Sequence, residues 1–402
     1  MTTYVRAAEA ARILGISKAT LYAYVSRGRV GRTTAADGRT SLFALDELEA
    51  LSSRSRGAVS PRPSIDVQIA SAITVLGEDG VSVRGHDLGE LVAAGTFEDV
   101  AELLWSGRWE PGTTWPSAAR GDAALIERCL PQDAPPGTRP GPVPRLAIAA
   151  HVLDGAHPGD DVPTAARRLL LAAPRLFGST RTSGRYAHRI AGAVGPDAGP
   201  QLVSAIDTAL CLLADHELAT STLAVRVAAS VRTSPYGAIA AGLAVVDGVL
   251  HGSASLQAGR FLAECEADGV GPTVRRYLDD GRLIPGFGHK VYRGVDPRFG
   301  PLLDAVRSLD DRVPAPPSPA APARATRAGA RVELIDEVVA EVGRLVPKHP
   351  NIDLALGALG WMSGVDADLP LFAIARIAGW AAHYAEELDE APVRYRGLAR
   401  TP

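Results

Sequence analysis

Apolar residues recur at helical spacing near the start of the chain and then give way to a shorter pattern. Residues 5–14 place apolar side chains at i, i+3 and i+4, and Ser17 can cap a second helix over 18–27. The Asp37-Gly38 pair between two β-compatible segments is typical of a hairpin. The first part of the chain therefore predicts a small module of helix, turn, helix and hairpin.

Helical periodicity dominates the chain after a Ser-, Arg- and Pro-rich strip that ends at Ser64. Thr96 and Asp99 have the spacing of a capping box. Further helices are predicted around 201–213, 218–232, 236–247, 331–346, 352–362 and 370–388. Two proline-rich stretches, Pro131–Pro144 and Val313–Ala323, are predicted to be surface loops. The pattern predicts an all-α fold, with residues 1–56 as a separate module and 57–64 as its linker.

The length of the chain and the distribution of its charges both indicate more than one domain. A chain of 402 residues is long enough for two or three. The net charge of −3 excludes a chain that binds nucleic acid over its whole surface. Residues 1–56 alone carry nine basic and five acidic residues, which marks them as a module of different character.

Cysteine use and hydropathy bear on the compartment. Cys129, Cys211 and Cys265 are far apart, which supports neither a disulfide framework nor a zinc site. The sequence shows no signal-peptide pattern near Met1 and no run of about 20 apolar residues. We therefore expect a cytoplasmic protein that does not span a membrane.

The order of helix, tight turn, helix and hairpin resembles the winged helix-turn-helix of MerR-type and excisionase-type DNA-binding modules. The resemblance implies DNA contacts from the second helix and the hairpin, namely Lys18, Thr20, Tyr22, Arg27, Arg32 and Arg39. A small helical module that binds protein, or only packs on the rest of the chain, is the alternative.

Isolated polar residues stand in apolar surroundings in four later segments: Asp215–Glu217, Leu250–Gly252, Gly286–Arg298 and Pro350–Asp353. Each has a structural interpretation by itself, since a histidine between helices can serve as a hydrogen-bonding group and an acid is favoured at a helix start. Together they supply a base, two proton donors and anion clamps. That set can enolise a thioester and add it to a keto acid.

The ordered motifs of the chain resemble those of the citrate synthase family. They are Val83–Leu88, Thr96–Arg108, Asp215–Thr222, Leu250–Gly252, Gly286–Arg298, Pro350–Asp353 and Arg376–His383. The resemblance covers most of the chain after the linker. It implies a citrate synthase-like fold with a large helical domain, 65–253 and 365–402, and a small helical domain, 254–364, that closes over substrate.

The resemblance also implies the catalytic residues. Asp353 would take a methyl proton from acetyl-CoA, and His251 would hydrogen-bond the thioester oxygen while the enolate forms. His289 would polarise the ketone of oxaloacetate and protonate the new alkoxide. Hydrolysis of the thioester would then give citrate and CoA, with acetyl-CoA as co-substrate, no permanently bound cofactor and no metal.

Binding residues follow from the same resemblance. The keto acid would be held by His216, Arg298, Arg376 and Arg394. Arg396 competes with Arg394 for the last position. In the family that arginine comes from the partner subunit, which implies a homodimer with shared sites. CoA would contact Gly286, Phe287, Gly288, Lys290 and Lys348, although both lysines are equally compatible with solvated surface positions.

Two departures from the family leave the substrate open. Ser253–Leu256 lacks the asparagine and the acid that follow the family's histidine, and Leu354–Gly357 lacks an aromatic residue and a hydroxyl after the acid. A more apolar wall would raise the pKa of Asp353 and favour a bulkier acyl group, as in a 2-methylcitrate synthase that uses propionyl-CoA. A transcriptional regulator that senses a keto acid or acyl-CoA without turnover is the other alternative. Retention of the base favours the enzyme.

Overall fold

The computed structural model describes most of the chain, namely residues 4–14, 18–26, 30–34, 40–44, 48, 68–77, 80–131, 139–248, 251–289, 291–292, 294–309, 322–364 and 369–397. The chain divides into two units, Met1–Ala70 and Ser71–Pro402. None of the helices in these ranges is long and apolar enough to cross a membrane.

The first unit combines short strands with two helices. Its described elements are β1 (Tyr4–Arg6), α1 (Ala7–Leu14), α2 (Lys18–Ser26), β2 (Thr33–Thr34) and β3 (Ser41–Ala44). The antiparallel sheet has the order β1-β3-β2. The predicted order of helix, helix and hairpin is confirmed, but the first helix begins two residues later than expected because Val5 pairs with Phe43 in the sheet. The Asp37-Gly38 turn lies outside the described residues.

The second unit opens with an antiparallel meander that the helical pattern did not predict. Its strands are β4 (Thr74–Leu76), β5 (Val81–Val83) and β6 (His86–Asp87). Arg84 and Gly85, with φ of 49° and 84°, form the turn between the last two strands. Strands of two or three residues are too short to give a periodic signal, which explains why they were missed.

The rest of the second unit is helical, as predicted. Its helices are α3 (Leu88–Ala94), α4 (Phe97–Ser106), α5 (Arg120–Cys129), α6 (Pro142–Ala156), α7 (Val162–Leu176), α8 (Tyr186–Ala191), α9 (Pro200–Leu213), α10 (Thr220–Ser230), α11 (Pro235–Val246), α12 (Ala254–Asp268), α13 (Val270–Asp279), α14 (Phe299–Arg307), α15 (Pro322–Leu345), α16 (Ile352–Ser363) and α17 (Leu371–Leu388). The separation of large and small domains at 254 and 364 stays a prediction.

The loops predicted over the two proline-rich stretches are too long, because a helix begins inside each stretch. Pro142 and Pro144 lie in the first turn of α6, and Pro322 begins α15. Proline is tolerated in a first helical turn because the amide hydrogen it lacks has no partner within the helix there. The rest of the second stretch, up to residue 321, lies outside the described residues.

Helix α17 forms the centre of the second unit. It packs against α4, α7, α9, α10 and α11, and nearly every side chain from Leu371 to Tyr384 is buried. A helix that is apolar on all sides must lie in a protein core. Because Arg376, His383 and Glu387 are on this helix, the fold carries three ionisable groups into the interior.

Helices α12 and α16 approach each other until their backbones touch. A Cβ built on Gly357 would lie 2.6 Å from Gly259 N and 2.6 Å from Ser255 O. Neither neighbour is the end of a flexible side chain. The two helices therefore require glycine at this crossing.

We expect Gly357→Ala to lower the free energy of unfolding by about 1–3 kcal/mol, because the added methyl group forces two helix backbones apart. Thermal and urea unfolding would measure the change. Gly343→Ala in α15 is the matched control, since a Cβ there meets no atom within 4 Å, and it should be neutral or stabilising by up to about 1 kcal/mol. Equal stability of the two variants would contradict the close approach.

Candidate active site

The loop of residues 286–289 runs alongside the start of α16. Gly286 and Gly288 have φ of 80° and 84°, and a Cβ on Gly286 would lie 2.7 Å from Leu354 Cβ. The Gly288 amide donates to His349 O at 2.8 Å, and the Asn351 amide donates to Gly286 O at 2.9 Å. The two glycines thus allow the loop to pair with residues 349–351 as a short antiparallel bridge.

Asn351 links this loop to the helix that carries Asp353. Its Oδ1 accepts from the Asp353 amide at 3.0 Å as the N-cap of α16, and its Nδ2 donates to Gly288 O at 2.7 Å. Asp353 therefore lies in the first helical turn, beside the loop of His289. Burial raises the pKa of Asp353 to about 6, against the lowering effect of Arg298 and with a smaller rise from Asp296.

Asp296 was not singled out by the sequence, yet it joins Arg298 to α16. Its fully buried carboxylate accepts from Arg298 N at 3.0 Å, Nε at 2.9 Å and Nη2 at 2.7 Å, and from the Ile352 amide at 3.2 Å. Burial alone would raise the pKa of Asp296, but these donors hold it below its ordinary value. An acid two residues before a binding arginine was the available sequence signal.

His289 is held in one tautomer by the main chain. Its Nδ1 accepts from the amides of Val291 at 3.1 Å and Tyr292 at 3.3 Å. The proton of the neutral ring is therefore on Nε2. Burial and the nearby Arg298 lower the pKa of His289, so the neutral form is favoured.

His216 meets His289 and Tyr292 as neighbouring rings. Its ring centroid is 5.5 Å from that of His289, and its Nε2 is 2.8 Å from Tyr292 Oη. Burial and the positive charges of Arg298 and Arg376 lower the pKa of His216 to about 2. The imidazole is therefore neutral at physiological pH. Tyr292 was also missed, because its partner lies 76 residues away in the sequence.

Arg376, on α17, lies beside His216, whose ring neighbours that of His289. Its Nε donates to Leu213 O at 3.0 Å and its Nη1 to His216 O at 3.4 Å, which fixes the guanidinium beside the histidine loop. Burial lowers its pKa to about 10, so it remains charged. Its guanidinium carbon lies 5.0 Å from the centre of the Phe372 ring, in the range of a cation–π contact.

His251 and Arg376 share a neighbour, the ring of Phe372. The two ring centroids are 6.1 Å apart, and His251 Nε2 lies 2.9 Å from the buried hydroxyl of Ser221. Ser221 belongs to the segment after Asp215–Glu217. The hydroxyl contact fixes the orientation of the imidazole ring.

Behind His216, a buried ionic network continues along α17. Asp215 Oδ2 accepts from Thr74 Oγ1 at 2.6 Å and lies 3.3 Å from His383 Nε2. Burial would raise the pKa of Asp215, but His383, Arg376 and Thr74 hold it at about 2. The negative charge beside His216 is therefore permanent.

Arg394 lies at the far end of this network rather than with the histidines. Its Nε and Nη2 donate to Glu387 at 2.7 and 2.6 Å, and its Nη1 lies 3.3 Å from Glu390. Arg396 is exposed. The contribution of Arg394 to a partner's site stays a prediction.

The predicted CoA residues are partly described. Phe287 is half-buried in the loop, and Lys348 lies against Gly288, whose built Cβ would be 3.2 Å from its Cδ. Lys290 lies outside the described residues. Among the residues that are described, no three His, Cys, Asp or Glu side chains could hold a metal ion together.

The site thus combines a carboxylate of raised pKa, neutral imidazoles and two buried guanidinium groups. A carboxylate with a pKa near 6 is a stronger base than an ordinary one, and neutral imidazoles can donate a hydrogen bond without carrying charge. The guanidinium groups suit carboxylate ligands. This arrangement can abstract a proton next to a carbonyl and stabilise the resulting oxyanion.

We expect Asp296→Asn to lower the free energy of unfolding at pH 7 by about 3 kcal/mol, because it leaves the buried Arg298 without its counter-charge. The pKa of Asp296 is depressed in the folded state, so this stability is present above the unfolded pKa of about 4 and is lost as the pH falls through the folded pKa. Urea unfolding at several pH values would show the difference from wild type shrinking below about pH 4.

Asp304→Asn is the control for that experiment. Asp304 pairs with Arg307 at 3.1 Å, but its side chain is 74% exposed. It should change stability by no more than about 1 kcal/mol. A cost for Asp296→Asn as small as this would contradict the role of the buried pair.

Comparison with known proteins gives two family matches. Residues 66–396 match the model of "Citrate synthase, C-terminal domain", and residues 4–54 match the model of "Helix-turn-helix domain". The first match covers most of the second unit. The second covers the module predicted at the start of the chain.

Individual proteins agree with these matches. A citrate synthase of Synechocystis sp. is 35% identical over 193 residues, which is 47% of this chain and 46% of that protein. The "2-methylcitrate synthase 1" of Corynebacterium glutamicum is 28% identical over 77% of this chain and 86% of its own length. The chain thus spans about half of the first relative and most of the second.

A solved structure matches at the level of the fold. The crystal structure of citrate synthase from Pyrobaculum aerophilum has a TM-score of 0.65 at 21% identity, covering 84% of this chain and 91% of that one. The all-α prediction for the second unit agrees with this fold. The chain belongs to the citrate synthase family.

Proposed function

We propose that the protein condenses an acyl-CoA with oxaloacetate, and that acetyl-CoA is the acyl donor and citrate the product. One observation carries the proposal: Asp353, with a pKa raised to about 6, lies beside a loop that also holds His289 and Arg298. Base, proton donor and anion clamp are the groups that such a condensation needs.

The first step is proton abstraction. Asp353 takes a proton from the carbon next to the thioester carbonyl, and the electron pair moves to the carbonyl oxygen. His251, oriented by Ser221, donates a hydrogen bond to that oxygen while negative charge develops there. A base with a pKa near the working pH combines ionisation with basicity.

The second step joins the two carbons. The enolate carbon bonds to the ketone carbon of oxaloacetate, and the Nε2–H of His289 protonates the alkoxide. Arg298 and Arg376 bind the carboxylates of the keto acid, with His216 as a further hydrogen-bonding group. Water then cleaves the thioester and releases CoA.

CoA and the second subunit complete the proposal. The amides of Gly286, Phe287 and Gly288 and the ammonium groups of Lys290 and Lys348 serve CoA. A homodimer supplies Arg394 to the partner's keto acid. Two exposed valines, Val227 on α10 at 41% and Val231 directly after it at 56%, support an apolar contact between subunits.

Propionyl-CoA, which would give 2-methylcitrate, is the alternative donor. Leu354 packs against the Gly286 backbone beside Asp353, so the wall next to the base is aliphatic. The name of the Corynebacterium relative supports the same alternative. Steady-state kinetics with both thioesters decide between them through the ratio of their kcat/KM values.

We expect Asp353→Asn to lower kcat by about 10²–10⁴-fold, because the amide cannot accept the proton. The wild-type kcat/KM should fall tenfold per pH unit below about pH 6, because only the ionised carboxylate is a base. Release of free thiol from acetyl-CoA and oxaloacetate would measure both. Asp304→Asn is the matched control and should retain wild-type rates. If the wild-type protein releases thiol no faster than Asp353→Asn does, a sensor without turnover is favoured instead.

DNA binding by the first unit is a second candidate function, favoured by the match of residues 4–54 to a helix-turn-helix model. Lys18 and Tyr22 are exposed on α2, and Arg32 is exposed before β2. Thr20 is on α2, whereas Arg27 and Arg39 lie outside the described residues. An exposed lysine at the start of a helix and an exposed tyrosine one turn later suit contact with phosphates and base edges. Such a protein would couple an acyl-CoA or keto acid to transcription.

We expect Lys18→Ala to weaken binding to a random-sequence DNA duplex and to reduce the slope of log K against log salt by about 1, because one phosphate contact is lost. Fluorescence anisotropy over a salt series would measure this. Lys348→Ala removes the same charge from the second unit and should leave the slope unchanged. Absence of binding at low salt would favour the protein-binding alternative.

A further inference from the structure

Three rings meet at the keto acid side of the site. The centroid of Tyr292 is 4.7 Å from that of His289 and 5.6 Å from that of His216, and the two imidazoles are 5.5 Å apart. Within the part of the chain that the structure describes, Tyr292 is therefore the residue whose ring lies near both histidines. The proposed function gave it no role.

Tyr292 contacts the two imidazoles in different ways. Its main-chain amide donates to His289 Nδ1 at 3.3 Å, together with the amide of Val291. Its side-chain hydroxyl lies 2.8 Å from His216 Nε2. The main-chain contact with His289 is kept by any substitution that retains the amide hydrogen. The contact with His216 requires the phenol hydroxyl.

The protonation states determine what each contact does. Burial and two arginines lower the pKa of His216, and burial raises the pKa of Tyr292 to about 12, so both groups are neutral at physiological pH. The phenol is the more acidic of the two neutral groups and is therefore the donor, with Nε2 as the acceptor. The proton of His216 is then on Nδ1.

We propose that Tyr292 is a positioning residue for both imidazoles: its amide helps to hold His289 in the Nε2-protonated form, and its hydroxyl holds His216 in the Nδ1-protonated form. Each histidine then offers a defined N–H donor. A neutral imidazole without such a partner would divide between two tautomers and lose part of its binding to the keto acid.

Tyr292→Phe tests the proposal because it keeps the ring and the amide and removes only the hydroxyl. In protein labelled with ¹⁵N-histidine, the Nδ1 and Nε2 shifts of His216 should move toward the other tautomer, while those of His289 should stay unchanged. His216→Gln and His289→Gln assign the signals. Unchanged His216 shifts in the phenylalanine variant would overturn the proposal, whether or not the protein turns over.

The kinetic consequence rests on the proposed function. The KM for oxaloacetate should rise about tenfold, the loss expected for one hydrogen bond, with kcat within about threefold of wild type. Tyr277→Phe, which removes a hydroxyl that donates to Glu264 at 3.2 Å, is the matched control. If the wild type shows no turnover, calorimetric binding of oxaloacetate replaces the KM, and the nitrogen shifts still decide the tautomers. A moved His216 signal with unchanged oxaloacetate affinity would overturn the positioning role.

Discussion

One buried carboxylate holds the parts of the site in their mutual positions. Asp296 uses both oxygens to bind the Arg298 fork and the first amide of α16, so the anion clamp and the helix of Asp353 share one anchor. A buried charge with fewer donors would be neutralised or exposed. The position of Asp353 therefore depends on a residue that has no part in the proposed chemistry.

The same logic extends along α17. Its apolar faces bury it against five other helices, and the ionisable groups it carries find partners in the core. Arg376 binds main-chain oxygens beside His216, His383 contacts Asp215, and Glu387 binds Arg226 and Arg394. Charges thus enter a hydrophobic core only as members of a network, which also fixes the register of this helix against its neighbours.

The helices of the second unit could be predicted because their apolar periodicity is long and regular, as in α9, α11 and α17. The β4–β6 meander could not, since its strands are too short, and the helix start at Pro142 was obscured by proline-rich sequence. Most of the candidate site followed from motifs, but Asp296 and Tyr292 did not. Their roles depend on partners, Ile352 and His216, that only the folded chain brings near.

The position of Lys348 beside Gly288 can be used for chemical labelling, because lysine is rare in this chain. The sequence contains three lysines, and two of them, Lys290 and Lys348, belong to the segments that flank the proposed thioester site. Reactive acyl compounds modify amines, so acylation of side-chain amines would be concentrated where the substrate itself is an acyl donor. Among side-chain amines, an amine-directed fluorophore would for the same reason label only Lys18 besides these two.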